Sequence, residues 1–123
     1  MAIVNNMTSN ERPAVRKGEQ TRAAILDVAL EVAARDGLEG VTIGILADRL
    51  SMSKSGVFSH FGSREELLIA TLKEYEVRFL TDILKPAVTE PRGLLRLKAI
   101  LGNWFTRLGH ENEQGCLYIS GGV

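Results

Sequence analysis

The 123-residue chain holds one cysteine, two histidines, three prolines and few aromatics, with Phe, Trp and Tyr together at 6%. A single cysteine, Cys116, excludes an internal disulfide, and His60 and His110 alone are too few imidazoles for a zinc set. Cys116 reads as a small buried apolar residue rather than a reactive thiol. No apolar run approaches the roughly 18 residues of a membrane span. The opening MAIVNNMTSNERP lacks the basic stretch and apolar core of a secretion signal. A cytoplasmic protein with no membrane partner is therefore expected. Catalysis finds no foothold: no Ser/His/Asp, Cys/His or paired-carboxylate arrangement stands out. Ser120-Gly121-Gly122 is too short, and lacks the lysine, for a phosphate loop. No enzyme activity, catalytic residue, metal or cofactor is expected.

Net charge is also missing, since 15 Lys and Arg balance 15 Asp and Glu. The balance is uneven along the chain. Arg12 to Arg22 carries four bases against Glu19, Ser53 to Arg64 carries Lys54 and Arg64 with no acid, and Glu65 to Glu90 carries six acids against three bases. A polyanion-binding protein needs a local basic surface rather than a basic total, so a neutral sum leaves that class open.

What is present is helical periodicity, and the predicted class is all-α. Residues 1–20 show no period and read as a flexible basic arm. Thr21 is placed as the N-cap of a first helix with Ile25, Leu26, Ala29, Val32 and Ala33 on one stripe, stopped by Gly37 in a left-handed C-cap. Thr42 opens a short second helix with Ile45, Leu46 and Leu50 inward and Ala47 small at a close approach. Ser51 and Met52 form a tight turn, Ser53 caps a third helix to about His60, and Ser63 with Glu66 forms a capping box. Leu68, Leu72, Tyr75, Phe79 and Ile83 mark a fourth helix that Pro86 ends near Lys85. Pro91 is placed at the start of a fifth, with Leu94, Leu97, Leu101, Trp104 and Leu108 as its stripe, stopping around Gly109. For Trp104, Phe105 and Tyr118, core packing or an interface is favoured over a ligand cavity. The final GCLYISGGV begins an apolar pattern that it does not finish, so the sequence is expected to be a fragment of a longer protein.

The pair of short helices from Thr42 to Phe61, flanked by longer amphipathic ones, has the plan of a helix-turn-helix head. Its second helix must be slim and polar outside to enter a major groove about 12 Å wide, as Ser53, Lys54, Ser55, Gly56 and Ser59 allow. Lys54 suits a phosphate or a guanine edge, and Val57 either supports the head or touches a thymine methyl. Phe61 anchors the helix. Thr42 and Arg64, near helix starts, suit phosphate clamps on either side. His60 suits a phosphate contact or a buttress for Phe61. The same residues also fit a helical protein-interaction module without DNA affinity.

The segment TRAAILDVALEVAARDGLEGVTIGILADRLSMSKSGVFSHFGSREELLIATL, from Thr21 to Leu72, resembles the N-terminal DNA-binding domain of the TetR/AcrR family of bacterial regulators. The resemblance lies in the Ile-Leu-x-x-Ala core, the Gly37 stop, the Thr42 start, Ala47 and the SKSGVFSHF-x-S-R-E-E-L run. It implies a homodimeric, ligand-responsive transcriptional regulator, expected to be a repressor, with two heads in successive major grooves of a pseudo-palindromic double-stranded operator. A helical C-terminal domain would bind a small-molecule inducer. By the resemblance, Thr42, Ser53, Lys54, Ser55, Gly56, Val57, Phe58, His60 and Arg64 contact DNA or orient the contact. Phe58 stands where tyrosine is frequent, and Ser51 where glycine is. The expected organisation is an arm over 1–20, a DNA-binding domain over 21–67, and over 68–123 a connecting helix with the truncated start of the regulatory domain.

Overall fold

The computed structural model describes residues 11–110 and 116–120, and every regular element among them is a helix, as the periodicity predicts. Helix α1 (Glu11–Asp36) leads through a 3-10 turn (Leu38–Gly40) to α2 (Ile43–Leu50), α3 (Lys54–Phe61) and α4 (Arg64–Phe79). A π turn (Leu80–Leu84) carries α4 into the three-residue α5 (Lys85–Ala87), with helical backbone at each junction. Then come α6 (Leu94–His110) and α7 (Leu117–Ser120).

The α1 stripe is buried at all five predicted positions, Ile25, Leu26, Ala29, Val32 and Ala33. Its start differs from expectation. Residues 11–20 are helical rather than an irregular arm, and the Thr21 hydroxyl donates back to the Lys17 carbonyl at 2.9 Å instead of capping. The packed half of α1 supplies the costly nucleus, and Ala14, Arg16, Lys17, Glu19 and Gln20 are good enough helix formers to propagate it outward. The rest of the predicted arm, 1–10, lies outside the described residues. Gly37 ends α1 at φ 73°, as required of a glycine stop, although its ψ of 173° is extended rather than left-handed helical.

In α2 the inward residues are Ile43, Leu46 and Ala47, with Leu50 half-buried, whereas Ile45, predicted inward, is exposed. The helix starts where expected, with the Thr42 side-chain oxygen accepting from the Ile45 N–H at 3.2 Å, so the difference is one of rotation rather than of start. A helix that begins at Ile43 presents 43, 46, 47 and 50 on one face. The predicted α4 stripe holds at Tyr75 and Ile83, which are buried, and at Phe79, which is half-buried, but its first two positions are displaced by one residue. Leu67, Thr71 and Tyr75 are buried, Leu68 is half-buried and Leu72 is exposed. Thr71 enters the core because its hydroxyl donates to the Leu67 carbonyl at 2.7 Å, leaving no polar group unsatisfied. Arg78 braces α4 against α1 through Asp27 and also bonds Glu74 at 2.9 Å. Burial pulls its pKa down, but these two carboxylates outweigh that and hold it above the usual guanidinium value.

Pro86 does not end the fourth helix, which runs to Ala87. The π turn shifts the hydrogen-bond register just ahead of the proline, with the Lys85 N–H on the Leu80 carbonyl, and Val88 N to Leu84 O at 3.2 Å restores the α pattern. Pro91 is not the first turn of α6 either. Gly93, at φ 110°, breaks the chain there and the helix begins at Leu94. Arg96 reaches back to the carbonyls of Glu90 and Val88 at 2.8 and 3.2 Å. Trp104 meets Phe79 edge-on at 6.0 Å, and Tyr118 lies 4.7 Å from Tyr75 and 5.0 Å from Phe79, so both rings join one aromatic cluster at the edge of the core, Trp104 half-buried and Tyr118 exposed on one side. Phe105 is exposed. Cys116 is buried and hydrogen-bonded to the Tyr75 hydroxyl at 3.3 Å. No described helix is long and apolar enough to cross a membrane.

Candidate nucleic-acid interface

The connection that presents α3 is built from backbone rules. Ser51 takes the left-handed conformation (φ 53°, ψ 40°), its N–H bonds Asp48 O at 3.3 Å, and the Met52 N–H bonds Ala47 O at 2.9 Å. These are the two bonds of a Schellman motif, with serine in the place glycine fills without strain. Ser53 then caps α3, its Oγ accepting from the Gly56 N–H at 3.0 Å and lying 3.1 Å from the Ser55 hydroxyl. Gly56 is confined by that cap: a Cβ there would stand 3.1 Å from Ser53 Oγ and 3.4 Å from the Met52 methyl. Gly62, at φ 54° and ψ −42°, closes α3 in a conformation suited to glycine. Ser63 caps α4 by accepting from the Glu66 N–H at 3.1 Å, and its own N–H is directed to the Phe61 carbonyl.

These constraints divide α3 into two faces. Val57 is fully buried and Phe61 nearly so, both in the common core, with the Arg22 guanidinium 5.0 Å above the Phe61 ring. Lys54, Ser55, Phe58 and Ser59 are exposed and follow one another at i, i+1, i+4 and i+5, so they form a single outward strip. Ser59 also donates to the Gly56 carbonyl at 2.7 Å. His60 is half-buried, its ring 6.4 Å from Phe61 and tilted against it, as a buttress requires.

The predicted site residues therefore separate. Lys54, Ser55 and Phe58 share the outward strip, while Ser53 and Gly56 build its capped start. Thr42 is half-buried and caps α2. Of the two roles open to Val57, burial leaves support of the head and removes contact with a base edge. Arg64 turns its guanidinium to main-chain oxygens, with Nε on Val41 O at 3.0 Å and Nη2 on Glu39 O at 3.3 Å.

One participant was missed in the sequence. The Lys54 side chain lies across Gly44, with Cε 3.5 Å and Nζ 3.8 Å from where a Cβ on that glycine would be. This sets an ammonium beside the first turn of α2, whose free N–H groups already carry partial positive charge. Two like-signed features held together favour negative charge over positive at this point of the surface. The glycine two residues after a predicted N-cap was the available signal. Among the described residues no group of acids, histidines and cysteine could hold a metal ion.

The helices that frame this strip lie within a segment shared with known proteins. Residues 25–71 match the family described as bacterial regulatory proteins, tetR family. Similar curated proteins include the DNA-binding transcriptional repressor TetR of Mycobacteroides abscessus, 30% identical over 90 residues, covering 69% of this chain and 47% of that protein. The HTH-type transcriptional repressor AcnR of Corynebacterium efficiens is 31% identical over 80 residues, covering 64% of this chain and 43% of that protein. The HTH-type transcriptional activator FasR of Mycolicibacterium smegmatis is 25% identical over 95 residues, 77% of this chain and 43% of its own. The chain spans less than half the length of these relatives. Through the matched segment and the helical head it forms, the chain belongs to the TetR/AcrR family of bacterial regulatory proteins.

Proposed function

We propose that this chain is the DNA-reading part of a transcriptional repressor acting in the cytoplasm, and that α3 enters the major groove of an operator with its Lys54–Ser55–Phe58–Ser59 strip foremost. The observation that carries the reading is that strip, on a two-turn helix whose other face is locked into the core through Val57 and Phe61. A helix about 10–12 Å across with its side chains matches a groove about 12 Å wide. Lys54, beside the α2 N-terminus, holds a backbone phosphate. Ser55 hydrogen-bonds a base edge, and Phe58, 45% exposed among serines, takes the thymine-methyl contact that buried Val57 does not make. Thr42 and Ser53 keep the two helix starts in shape for these contacts, and His60 buttresses Phe61. Gly56 allows the Ser53 cap to close.

The same reading includes a homodimer on a pseudo-palindromic site and release by a small-molecule inducer. Two relatives are named as repressors, and the uncovered apolar side of α6 is suited to receive further helical structure. Selection of bound sequences from randomised duplex DNA, followed by salt titration, tests it. Affinity is expected to fall steeply with salt, and Lys54→Ala is expected to reduce the slope of log K against log salt by about 0.9 for each chain bound. Binding no duplex above background at low salt would leave the helical interaction module as the better reading.

A further inference from the structure

Arg64 was expected to clamp a phosphate, yet its hydrogen bonds run inward. Besides Val41 O and Glu39 O, its Nη2 lies 3.5 Å from Leu38 O, at the outer limit of a hydrogen bond. The three carbonyls belong to the 3-10 turn and the residue that closes it, immediately before the Thr42 cap. Arg64 itself is the first residue of α4, directly after the Gly62–Ser63 turn that ends the reading helix. One planar fork thus ties the entrance of α2 to the exit of α3, across 23 residues of sequence. The nearby Glu39 carboxylate, fully exposed at 3.9 Å, adds little to this.

We infer that Arg64 is a positioning residue: it clasps the turn before α2 and so sets the Thr42-capped start of α2 in register with α3, instead of binding phosphate itself. The inference rests on the DNA-reading proposal for its consequence, while the clasp is a property of the free protein. A lysine would not reproduce it, because a single ammonium lacks the rigid fork that spans Val41 O and Glu39 O together.

The test compares the parent chain with Arg64→Ala and Arg64→Lys. In the DNA-free parent, the Arg64 Nε–H is expected to exchange with solvent about ten-fold more slowly than that of exposed Arg16, and both variants are expected to speed exchange of the Ile45 amide held by the Thr42 cap. On the selected duplex both variants are expected to bind about ten- to a hundred-fold more weakly, the scale of a lost charged hydrogen bond. Their salt slopes should stay within about 0.3 of the parent's, because no phosphate contact is removed. Arg64 Nε–H exchange as fast as that of Arg16 overturns the inference. So does the pattern of a plain phosphate contact, in which Arg64→Lys binds like the parent while Arg64→Ala loses about 0.9 of slope. If the parent binds no duplex, the DNA-reading proposal fails and the two exchange measurements still decide the clasp.

Discussion

The head and α6 carry the same sequence signal, an apolar stripe at helical spacing, and the fold treats them in opposite ways. In the head, α1, α2, α3 and α4 close around Ile25, Leu46, Val57 and Leu67, each fully buried. In α6 no residue is buried, and Leu94, Leu97 and Phe105 are 65%, 51% and 64% exposed. What α6 turns toward its neighbours is a mixed side, with Asn103 donating to the Ile83 carbonyl at 3.0 Å and Arg107 pairing with Asp82 at 3.1 Å. Periodicity shows that a helix has an apolar face. Whether anything covers that face is a property of the neighbours it meets.

Substitutions that compare the two regions should differ most where burial differs most. Leu46→Ala empties a fully buried position and should destabilise the chain by about 2–5 kcal/mol, read as a lowered urea midpoint. A cost within about 0.5 kcal/mol, the range of an ordinary surface change, would mean that the head is not the packed unit. Gly62→Ala forces a side chain onto φ 54° and toward the Glu66 carboxylate, with an expected loss of about 1–3 kcal/mol. An unchanged midpoint would show that the α3–α4 turn relaxes freely. Ser51→Gly should move the midpoint the other way, by up to about 1 kcal/mol, because the left-handed position then carries no Cβ strain. The smallest effect is expected in α6, where Phe105→Ser should change stability by no more than about 0.5 kcal/mol. A loss there as large as that of Leu46→Ala would erase the contrast and place a second core around α6.

Most of the head was legible because short-range rules govern it. Thr42, Ser53 and Ser63 each cap the helix they were expected to start, and Gly37 ends α1. The errors share a physical origin. Ile45 in place of Ile43, and Leu68 with Leu72 in place of Leu67 with Thr71, are one- or two-residue rotations that hydrophobicity alone does not resolve. A threonine with its hydroxyl bonded to its own helix is as acceptable inside as a leucine. The site was legible as a segment and in part as a face, with Lys54, Ser55 and Ser59 outside and Phe61 inside as expected, but the side taken by Val57 was left open. Lys54, Ser55 and Phe58 point outward and Val57 inward, on a helix too short for its period to be decisive.

The amino-acid order by itself determined the starts of α2, α3 and α4 and the turn residues between them, since caps and glycines act over three or four residues. Tertiary structure decided which side of α2 and of the first turns of α4 is inside, that Lys54 lies over Gly44, and that the Arg64 fork spans from α4 to the turn before α2. Those outcomes depend on groups far apart in the chain and brought together only when the helices pack.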